Sequence, residues 1–477
     1  MMRNLTLLTD LYQLTMMYGY SKNGQMNKTA VFDVFYRGIG NNYAVACGLE
    51  QVVEYVLNLK FEKDDIEYLR SKNLFDEEFL KLLEDFKFTG DIYAVKEGTV
   101  IFPQEPILTV KARLFEAQLI ETAILCLLNH QTLIATKAAK VVYAANGAPV
   151  AEFGLRRAQG PDAGIYGARA AVIAGCASTS NVLAGKMFNV PISGTHAHAW
   201  VMSFASEYDA FKAYAKMYPD SCLLLCDTYD TLRSGVPNAI KVFKELRAEG
   251  HEPIGIRLDS GDLAYLSQEA RKMLDEAGFE NAKICASGDI DETVLMSLTA
   301  QGAKIDTYGI GTKLITSMDC PSLGGVYKMS AIEDENGNLV PKLKMSDTPG
   351  KITNPGFKKI VRIYDKHSNK ALADLICLYD ESFDGLDELE IFDPHFTYKR
   401  KTITDFYVKE LTTTIIKDGK LVYKLPSVQE IAAYHKNAYA EFWNEYKRLL
   451  NPHIYKVDLS QKLYDIKEEL LKKNSMK

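Results

Sequence analysis

The stretch that decides the fold class runs from residue 254 to residue 274 and reads IGIRLDSGDLAYLSQEARKML. A short apolar run, Ile254 to Leu258, ends in the polar sequence Asp259-Ser260-Gly261-Asp262. Apolar residues then recur at the three-to-four spacing of a helix with one buried face, at Leu266, Ala270, Met273 and Leu274. The stretch therefore predicts one strand followed directly by one helix.

The same unit repeats from about residue 140 onward. Apolar runs that end in Gly, Ser, Thr, Asp or His lie at Pro149 to Gly154, Val190 to Gly194, Cys222 to Asp227, Ile254 to Leu258, Lys283 to Ser287 and Asp306 to Gly309, and Ala177 to Thr179 is a weaker seventh. Alternating strands and helices predict parallel strands with right-handed crossovers, in a barrel or in an open doubly wound sheet. In both architectures the polar strand ends gather at the face that holds the active site.

The regions on either side of these repeats have a different sequence pattern. Thr9-Asp10 is suited to cap a helix from Leu11 to Tyr20, and Val31 to Tyr36 predicts an aromatic strand. The apolar segment Ala117 to Ala138 is interrupted by charged and polar residues, which favours a core helix over a membrane span. After about residue 320 the pattern returns to β-like segments and ends in charged helices.

Composition excludes several classes of protein. The 477 residues are 47% hydrophobic and 25% charged, as in an ordinary globular protein, and the formal net charge of −6 argues against nucleic acid and anionic lipid as partners. The eight cysteines are scattered without zinc-site spacing, and the first five residues lack the start of a secretion signal. We therefore expect a reduced, cytoplasmic protein.

The strand ends carry residue types that suit phosphates and a sugar. Glycines and hydroxyl residues let main-chain N–H groups approach a phosphate, arginines add charge, and carboxylates hold ribose hydroxyls or a metal ion. Each piece alone is weak, because an Asp after a strand is more often a helix cap and a Gly-x-Gly-Thr sequence is more often a turn. Six such pieces at successive strand ends favour a common site.

Several longer motifs resemble those of the nicotinate phosphoribosyltransferases: Thr9 to Gln13, Phe153 to Asp162, Gly194 to Trp200, Asp259 to Asp262 and Tyr308 to Thr312. The resemblance runs from about residue 6 to about residue 365. It implies an α/β fold with an irregular seven-stranded barrel at residues 136–354. An α/β sandwich would form from both chain ends, residues 1–135 and 355–477, in a homodimer with shared active sites.

The resemblance also implies residue roles. His198 matches the histidine that such enzymes phosphorylate from ATP, Asp227 the carboxylate that orients it, and Asp259 the carboxylate that faces the ribose. Nicotinate would contact Phe153, Arg156, Ser180 and, from the neighbouring subunit, Tyr12. Phosphate groups would contact Arg37, Arg257, Ser287, Gly288, Asp289, Gly309, Gly311, Thr312 and Lys328. The residues alone leave Tyr12 open as a buried aromatic and Lys328 as a solvated lysine.

The implied reaction joins nicotinate to phosphoribosyl pyrophosphate as a salvage step toward NAD, coupled to ATP hydrolysis at a phosphohistidine. Mg²⁺ would be held largely by substrate phosphates. The nearest alternative is the nicotinamide-specific relative, which has a carboxylate at the position of Ser180. Quinolinate phosphoribosyltransferases are shorter and lack the histidine, and a non-catalytic scaffold of the same fold is a further alternative.

Overall fold

The computed structural model describes residues 4–38 and 43–475, so the first three residues of the chain lie outside it. Its strands, in chain order, are β1 (Thr29–Tyr36), β2 (Ala44–Val45), β3 (Asp91–Val95), β4 (Val100–Ile101), β5 (Leu108–Arg113), β6 (Val150–Glu152), β7 (Ser178–Thr179), β8 (Leu223–Leu225), β9 (Gly255–Leu258), β10 (Lys283–Gly288), β11 (Thr307–Ile310), β12 (Gly325–Glu333), β13 (Leu339–Pro341), β14 (Lys358–Asp365), β15 (Ala371–Leu378), β16 (Glu388–Phe392), β17 (Arg400–Thr404), β18 (Phe406–Glu410), β19 (Thr412–Lys417), β20 (Lys420–Leu421) and β21 (Val457–Leu459).

The α-helices are α1 (Leu11–Lys22), α2 (Leu49–Leu57), α3 (Lys63–Ser71), α4 (Glu77–Glu84), α5 (Leu114–Leu119), α6 (Glu121–Ala144), α7 (Pro161–Ile173), α8 (Val182–Phe188), α9 (His198–Met202), α10 (Glu207–Met217), α11 (Val236–Ala248), α12 (Leu263–Glu276), α13 (Glu292–Ala300), α14 (Thr312–Ile315), α15 (Val428–Ala440), α16 (Asn444–Lys447) and α17 (Gln461–Ser475). The chain divides into two compact units. Unit 1 comprises Met1–Leu133, Ser322–Ser427 and Ala433–Lys477, and unit 2 comprises Ile134–Pro321 and Val428–Ala432.

Unit 2 is built on a parallel sheet of six strands in the order β7-β6-β11-β10-β9-β8. Its central strands are buried, as are Phe243 and Leu246 on α11 and Ala270 and Leu274 on α12. The repeated strand-and-helix pattern is therefore confirmed as a parallel α/β arrangement. Because the strands run in one direction, their carboxyl ends lie at one edge of the sheet, where the site residues are found.

Five of the six predicted apolar runs are strands, and the weaker run forms β7. The exception is Val190 to Gly194, which makes only an isolated parallel bridge between Ile192 and Thr179. Pro191 explains the difference, because proline has no N–H to donate to a ladder; its carbonyl still accepts a hydrogen bond from the Thr179 N–H.

Unit 1 contains a sheet of seven strands in the order β13-β12-β1-β5-β3-β19-β20 and a sheet of four in the order β18-β14-β15-β21. Strand β12 pairs antiparallel with β1 from Ala30↔Ile332 to Tyr36↔Gly325. This pairing assigns the segment after Pro321 to unit 1, so the units divide at residue 321 and not at the predicted residue 354.

The apolar segment Ala117 to Ala138 ends α5 and forms most of α6, and the majority of its residues are buried, as predicted for a core helix. In the part of the chain that the structure describes, no helix is long and apolar enough to cross a membrane.

Candidate active site

The ends of β9 and β10 hold a cluster of bonded polar side chains. The Arg257 guanidinium donates from Nη2 to Asp259 Oδ1 at 2.9 Å and from Nε to Ser287 Oγ at 2.8 Å. The Ser287 hydroxyl in turn donates to Asp259 Oδ1. Burial alone would raise the pKa of Asp259, but the hydrogen bond from Ser287 and the charge of Arg257 outweigh it and lower that pKa. The carboxylate is therefore ionised and held in a fixed position.

His198 is the first residue of α9, and its ring is open to solvent, with 40% of the side chain exposed. Nδ1 lies 3.1 Å from the Thr228 hydroxyl, and Nε2 lies 3.8 Å from Asp259 Oδ2. The ring thus has a hydroxyl on one side and a carboxylate on the other. An exposed imidazole held in this way can act as a nucleophile.

The resemblance predicts that Asp227 orients His198, but the structure shows no hydrogen bond between these two residues. Asp227 Oδ2 accepts from the Asp259 N–H at 3.1 Å and from Ser260 Oγ at 2.5 Å, and its Oδ1 is buried without a partner among the described residues. The carboxylate is engaged by the loop after β9, so the next residue, Thr228, takes its place at the ring. That threonine was present in the strand-end sequence but carried no signal of its own.

His196 occupies a different environment. It is buried against Tyr214, with ring centroids 4.7 Å apart, and its Nε2 accepts from the Leu225 N–H at 3.3 Å. Burial lowers the pKa of His196 to about 4. Its Nδ1 is buried without a partner in the described part of the chain. His196 is therefore a neutral histidine of the interior, and His198 is the accessible one.

Phe153 and Arg156 follow β6. The Phe153 N–H donates to the Ile310 carbonyl at 2.8 Å, and its ring lies so close to Gly309 that a Cβ there would be 2.4 Å from the ring. Arg156 is exposed in a short 3₁₀ turn, Leu155–Arg157, and has no ion pair with any residue that the structure describes. Ser180 follows the adjacent strand β7 and donates its N–H to the Glu152 carbonyl at 2.9 Å. Adjacent strands therefore carry the three predicted nicotinate contacts of unit 2.

The predicted phosphate residues of unit 2 follow two paired strands. The register Ser287↔Gly309 and Gly288↔Ile310 places Ser287, Gly288 and Asp289 beside Gly309, Gly311 and Thr312. At Gly288, φ is +114° and a Cβ would lie 2.6 Å from the Asp259 carbonyl oxygen. Only glycine fits such an approach, which keeps this end of β10 close to the loop that carries Asp259.

Three predicted residues belong to unit 1. Tyr12 lies on α1 with 48% of its surface exposed, and Arg37 is exposed after β1. Lys328 lies on β12, with its Nζ 4.0 Å from Glu121 Oε1. Burial, together with the charges of Arg37 and Lys344, lowers the pKa of Lys328 despite the opposing charge of Glu121. Arg37, Lys328 and Lys344 form a basic cluster within unit 1.

Two residues of the site were not predicted. Thr195 Oγ1 accepts from Arg257 Nη1 at 3.3 Å. Glu152 is buried, and burial raises its pKa even though Thr179 Oγ1 donates to Oε2 at 2.7 Å and the Gly154 N–H donates to Oε1. Both were visible within strand-end sequences, but their contacts depend on neighbouring strands.

The residues fit a magnesium ion held mainly by substrate phosphates. In the described ranges, no group of three or more His, Cys, Asp or Glu side chains could hold a metal ion by itself. Mg²⁺ commonly takes one or two carboxylates together with phosphate oxygens, and Asp227 Oδ1 is a carboxylate oxygen to which no described residue donates a hydrogen bond.

Parallel strands whose carboxyl ends present a guanidinium, an ionised carboxylate, close-packed glycines and an accessible histidine define an α/β enzyme suited to sugar-phosphate chemistry. The chain matches the N-terminal domain model of nicotinate phosphoribosyltransferase over residues 7–129, the family model over 149–372 and the C-terminal domain model over 357–467. It belongs to the nicotinate phosphoribosyltransferase family, whose members are pentosyltransferases.

Individual relatives support this assignment over nearly all of the chain. A nicotinate phosphoribosyltransferase of Bacillus subtilis (strain 168) is 49% identical over 460 residues, which cover 96% of this chain and 93% of the relative. A Homo sapiens nicotinate phosphoribosyltransferase is 33% identical, over 96% of this chain and 95% of the relative. The crystal structure of human nicotinic acid phosphoribosyltransferase superposes with a TM-score of 0.85 at 31% identity, covering 97% of this chain and 99% of that one.

Proposed function

We infer that this chain transfers the phosphoribosyl group of phosphoribosyl pyrophosphate to nicotinate, giving nicotinate mononucleotide and pyrophosphate for NAD salvage. The observation that carries the inference is the bonded cluster of Arg257, Asp259 and Ser287 at the carboxyl ends of parallel strands. In a member of this family, that cluster lies where a sugar phosphate and its leaving group would be held.

In the proposed complex, nicotinate binds between an aromatic ring and a cation. Its ring packs against Phe153, and its carboxylate pairs with the guanidinium of Arg156 in a charge-assisted hydrogen bond. Arg156 is exposed and has no ion pair among the described residues, so no existing bond has to break. Ser180 leaves the neighbourhood of the carboxylate uncharged.

The pyridine nitrogen then attacks the anomeric carbon as the bond from that carbon to pyrophosphate breaks. Positive charge develops on the sugar, and the ionised Asp259 stabilises it, while Arg257 stabilises the departing pyrophosphate. The 5′-phosphate binds main-chain N–H groups and hydroxyls after β10 and β11, at Ser287, Gly288, Asp289, Gly309, Gly311 and Thr312.

ATP coupling proceeds through His198 in the proposed cycle. A nitrogen of His198 bonds to the terminal phosphorus of ATP as the bond to ADP breaks, and water later cleaves the phosphohistidine to release phosphate. Thr228 orients the ring through Nδ1. Mg²⁺, when bound to the phosphates with help from Asp227, would neutralise their charge. The basic cluster of Arg37 and Lys328 would contact the polyphosphates.

ATP labelled on its terminal phosphate tests the assignment of the histidine. The labelled bond should be acid-labile and base-stable, and the label should be lost in His198→Ala but kept in His196→Ala. Label that persists in His198→Ala and disappears in His196→Ala would reverse the assignment. Absence of label from the wild-type enzyme, with normal turnover, would remove the phosphohistidine from the cycle.

A substitution at Ser180 tests whether this residue sets the preference for nicotinate over nicotinamide. A carboxylate introduced by Ser180→Asp should weaken nicotinate binding by about tenfold or more through like-charge contact and leave nicotinamide less affected. The control Ser180→Asn has similar size without charge. An unchanged affinity for nicotinate in folded Ser180→Asp would exclude Ser180 from the pocket.

We also propose a homodimer in which Tyr12 of one subunit covers the nicotinate site of its partner. The exposed position of Tyr12 on α1 supports delivery to another chain. Tyr12→Ala and Arg156→Ala should each be nearly inactive. Co-refolding equal amounts of the two variants should restore about a quarter of wild-type sites in the mixture, because half of all dimers are mixed and one of the two sites in each mixed dimer is intact. Mixed dimers with only the parents' residual activity would contradict the shared site.

The sheet of unit 2 is proposed to close into a seven-stranded barrel through residues 190–196. Ile192 bridges to Thr179 of β7, and His196 Nε2 accepts from the Leu225 N–H of β8, so this segment contacts both edge strands. An experimental structure of the protein would test the closure: the segment should lie between β7 and β8, and an open cleft there would contradict it.

A further inference from the structure

A cavity lies entirely within unit 1. It has a volume of about 290 Å³ and is lined by apolar side chains that include Ile352, Ile376, Ile454 and Tyr455, and by Asp458 of β21. This volume is at the lower end of the roughly 300–1,000 Å³ that small-molecule pockets have, so a single-ring compound suits it. No residue of the proposed reaction lines this cavity.

Asp458 is a buried residue of β21 with one carboxylate oxygen that accepts no hydrogen bond from the described residues. The residue is 3% exposed, and its Oδ2 atom is buried with no partner among the described residues. Burial raises the pKa of Asp458 to about 6. Buried polar atoms in native proteins nearly always have a partner, because an unmet hydrogen bond carries the full cost of desolvation. The atom is therefore available to accept a hydrogen bond from a bound ligand.

The rest of the lining favours a neutral, flat ligand. Asp393 and Asp458 are matched in number by Lys456 and Lys467, so the formal charge of these four groups is balanced and neither a cation nor an anion is preferred. Lys467 Nζ donates to Asn354 Oδ1 at 2.9 Å, which holds a further N–H donor at the wall. Because an ammonium group has three N–H bonds, it can serve a ligand oxygen as well.

Tyr455 gives the cavity a rigid aromatic wall. Its ring stacks on Phe102, with centroids 4.1 Å apart and an angle of 17° between the rings. Its hydroxyl donates to Asp374 Oδ1 at 2.9 Å, which fixes the ring from the other end. A flat wall beside aliphatic side chains is suited to an aromatic ring.

We propose that this cavity is a binding site for a small neutral aromatic carboxamide, whose N–H group donates to Asp458 and whose carbonyl accepts from Lys467. The site is separate from the proposed transfer reaction and does not depend on it. A carboxamide provides a donor and an acceptor on one planar group, which matches the two polar sides of the lining. A carboxylate of the same shape would place a second negative charge next to Asp458.

Methyl NMR of the full-length protein labelled at isoleucine tests the site, with benzamide as the probe and benzoate as its isosteric control. Benzamide should shift the methyl resonances of Ile352, Ile376 and Ile454 saturably, and benzoate should bind there about tenfold or more weakly. Asp458→Leu should weaken benzamide by a similar factor, whereas the exposed control Asp387→Leu should leave it unchanged.

A second variant keeps the test decisive if Asp458→Leu does not fold. Asp458→Asn retains the shape and removes the charge, so the preference for benzamide over benzoate should narrow by about tenfold. The proposal is overturned if benzamide shifts none of the three methyl groups, if it shifts only isoleucines of unit 2 such as Ile315, or if benzoate binds at the cavity equally well.

Discussion

Two Arg–Asp pairs in this molecule have opposite character. Arg362 and Asp374 lie directly opposite each other on β14 and β15, are 1% and 0% exposed, and share two hydrogen bonds of 2.7 and 2.6 Å. Arg257 and Asp259 lie at the end of β9, are 15% and 27% exposed at their side chains, and share one hydrogen bond of 2.9 Å. The first pair is sealed in a sheet, and the second is open at a strand end.

The difference lies in which bonds remain available. In the sealed pair, the Val100 carbonyl accepts a further bond from Arg362, and Tyr455 donates a further bond to Asp374. In the open pair, Asp259 Oδ2 lies near His198, and the guanidinium of Arg257 is reachable from solvent. The same residue types are therefore enclosed by protein contacts in one unit and remain accessible to a ligand in the other.

Breaking the sealed pair should have the largest effect. Arg362→Met leaves Asp374 as an uncompensated buried charge and should lower the free energy of unfolding by about 3–5 kcal/mol, measured by urea denaturation. Arg400→Met, which removes an exposed pair with Glu390, is the matched control and should cost about 0.5 kcal/mol or less. A loss below about 1 kcal/mol in Arg362→Met would contradict the structural role of the pair.

Breaking the open pair should affect catalysis and leave the fold largely intact. Arg257→Met should lower kcat/KM for phosphoribosyl pyrophosphate by about 10²–10³, because the leaving pyrophosphate loses its cation. Its free energy of unfolding should change by about 1 kcal/mol or less, since Asp259 keeps contact with water. Arg247→Met, at an exposed pair with Glu252, is the control for both measurements. Equal activity of the two variants would refute the assignment of Arg257.

The two histidines also differ in burial, and the buried one should make stability depend on pH. An ordinary histidine has a pKa near 6.5, and burial lowers the pKa of His196 to about 4. Between these two pH values, His196 is protonated in the unfolded chain and neutral in the folded chain. The stability that neutral His196 provides above pH 6.5 is therefore lost as pH falls toward 4, by up to about 3 kcal/mol. Denaturation between pH 4 and 7 should show this loss in the wild type and in the exposed control His367→Gln, and less of it in His196→Gln. Parallel pH profiles in all three proteins would contradict it.

The strand-end site could be predicted because its residues follow apolar runs in a local pattern. Arg257 and Asp259 are two residues apart, and their position needs only the end of one strand. The sealed pair could not be predicted, because Arg362 and Asp374 meet through the register of two strands. For the same reason the sequence missed the pairing of β12 with β1, which moves residues 322–354 into unit 1.

The strand predicted from local pattern at Val190 to Gly194 is wrong because of a single residue. The run from Val190 to Gly194 is apolar enough for a strand, but Pro191 removes a ladder donor, and only the bridge at Ile192 remains. The orientation of His198 depends on whether Asp227 or Thr228 faces the ring, which the loop after β9 decides through its bonds to Asp227.

Asp259→Asn tests directly whether the phosphoribosyl group is transferred at the open cluster of the strand ends. The quantity to measure is the rate at which this variant forms nicotinate mononucleotide. The wild-type enzyme should release nicotinate mononucleotide and pyrophosphate in equal amounts from nicotinate and phosphoribosyl pyrophosphate. Asp259→Asn keeps the shape but loses the charge opposite the developing cation, so it should be slower by about 10²-fold or more while remaining folded. Wild-type kcat/KM in folded Asp259→Asn would show that transfer does not take place at this cluster.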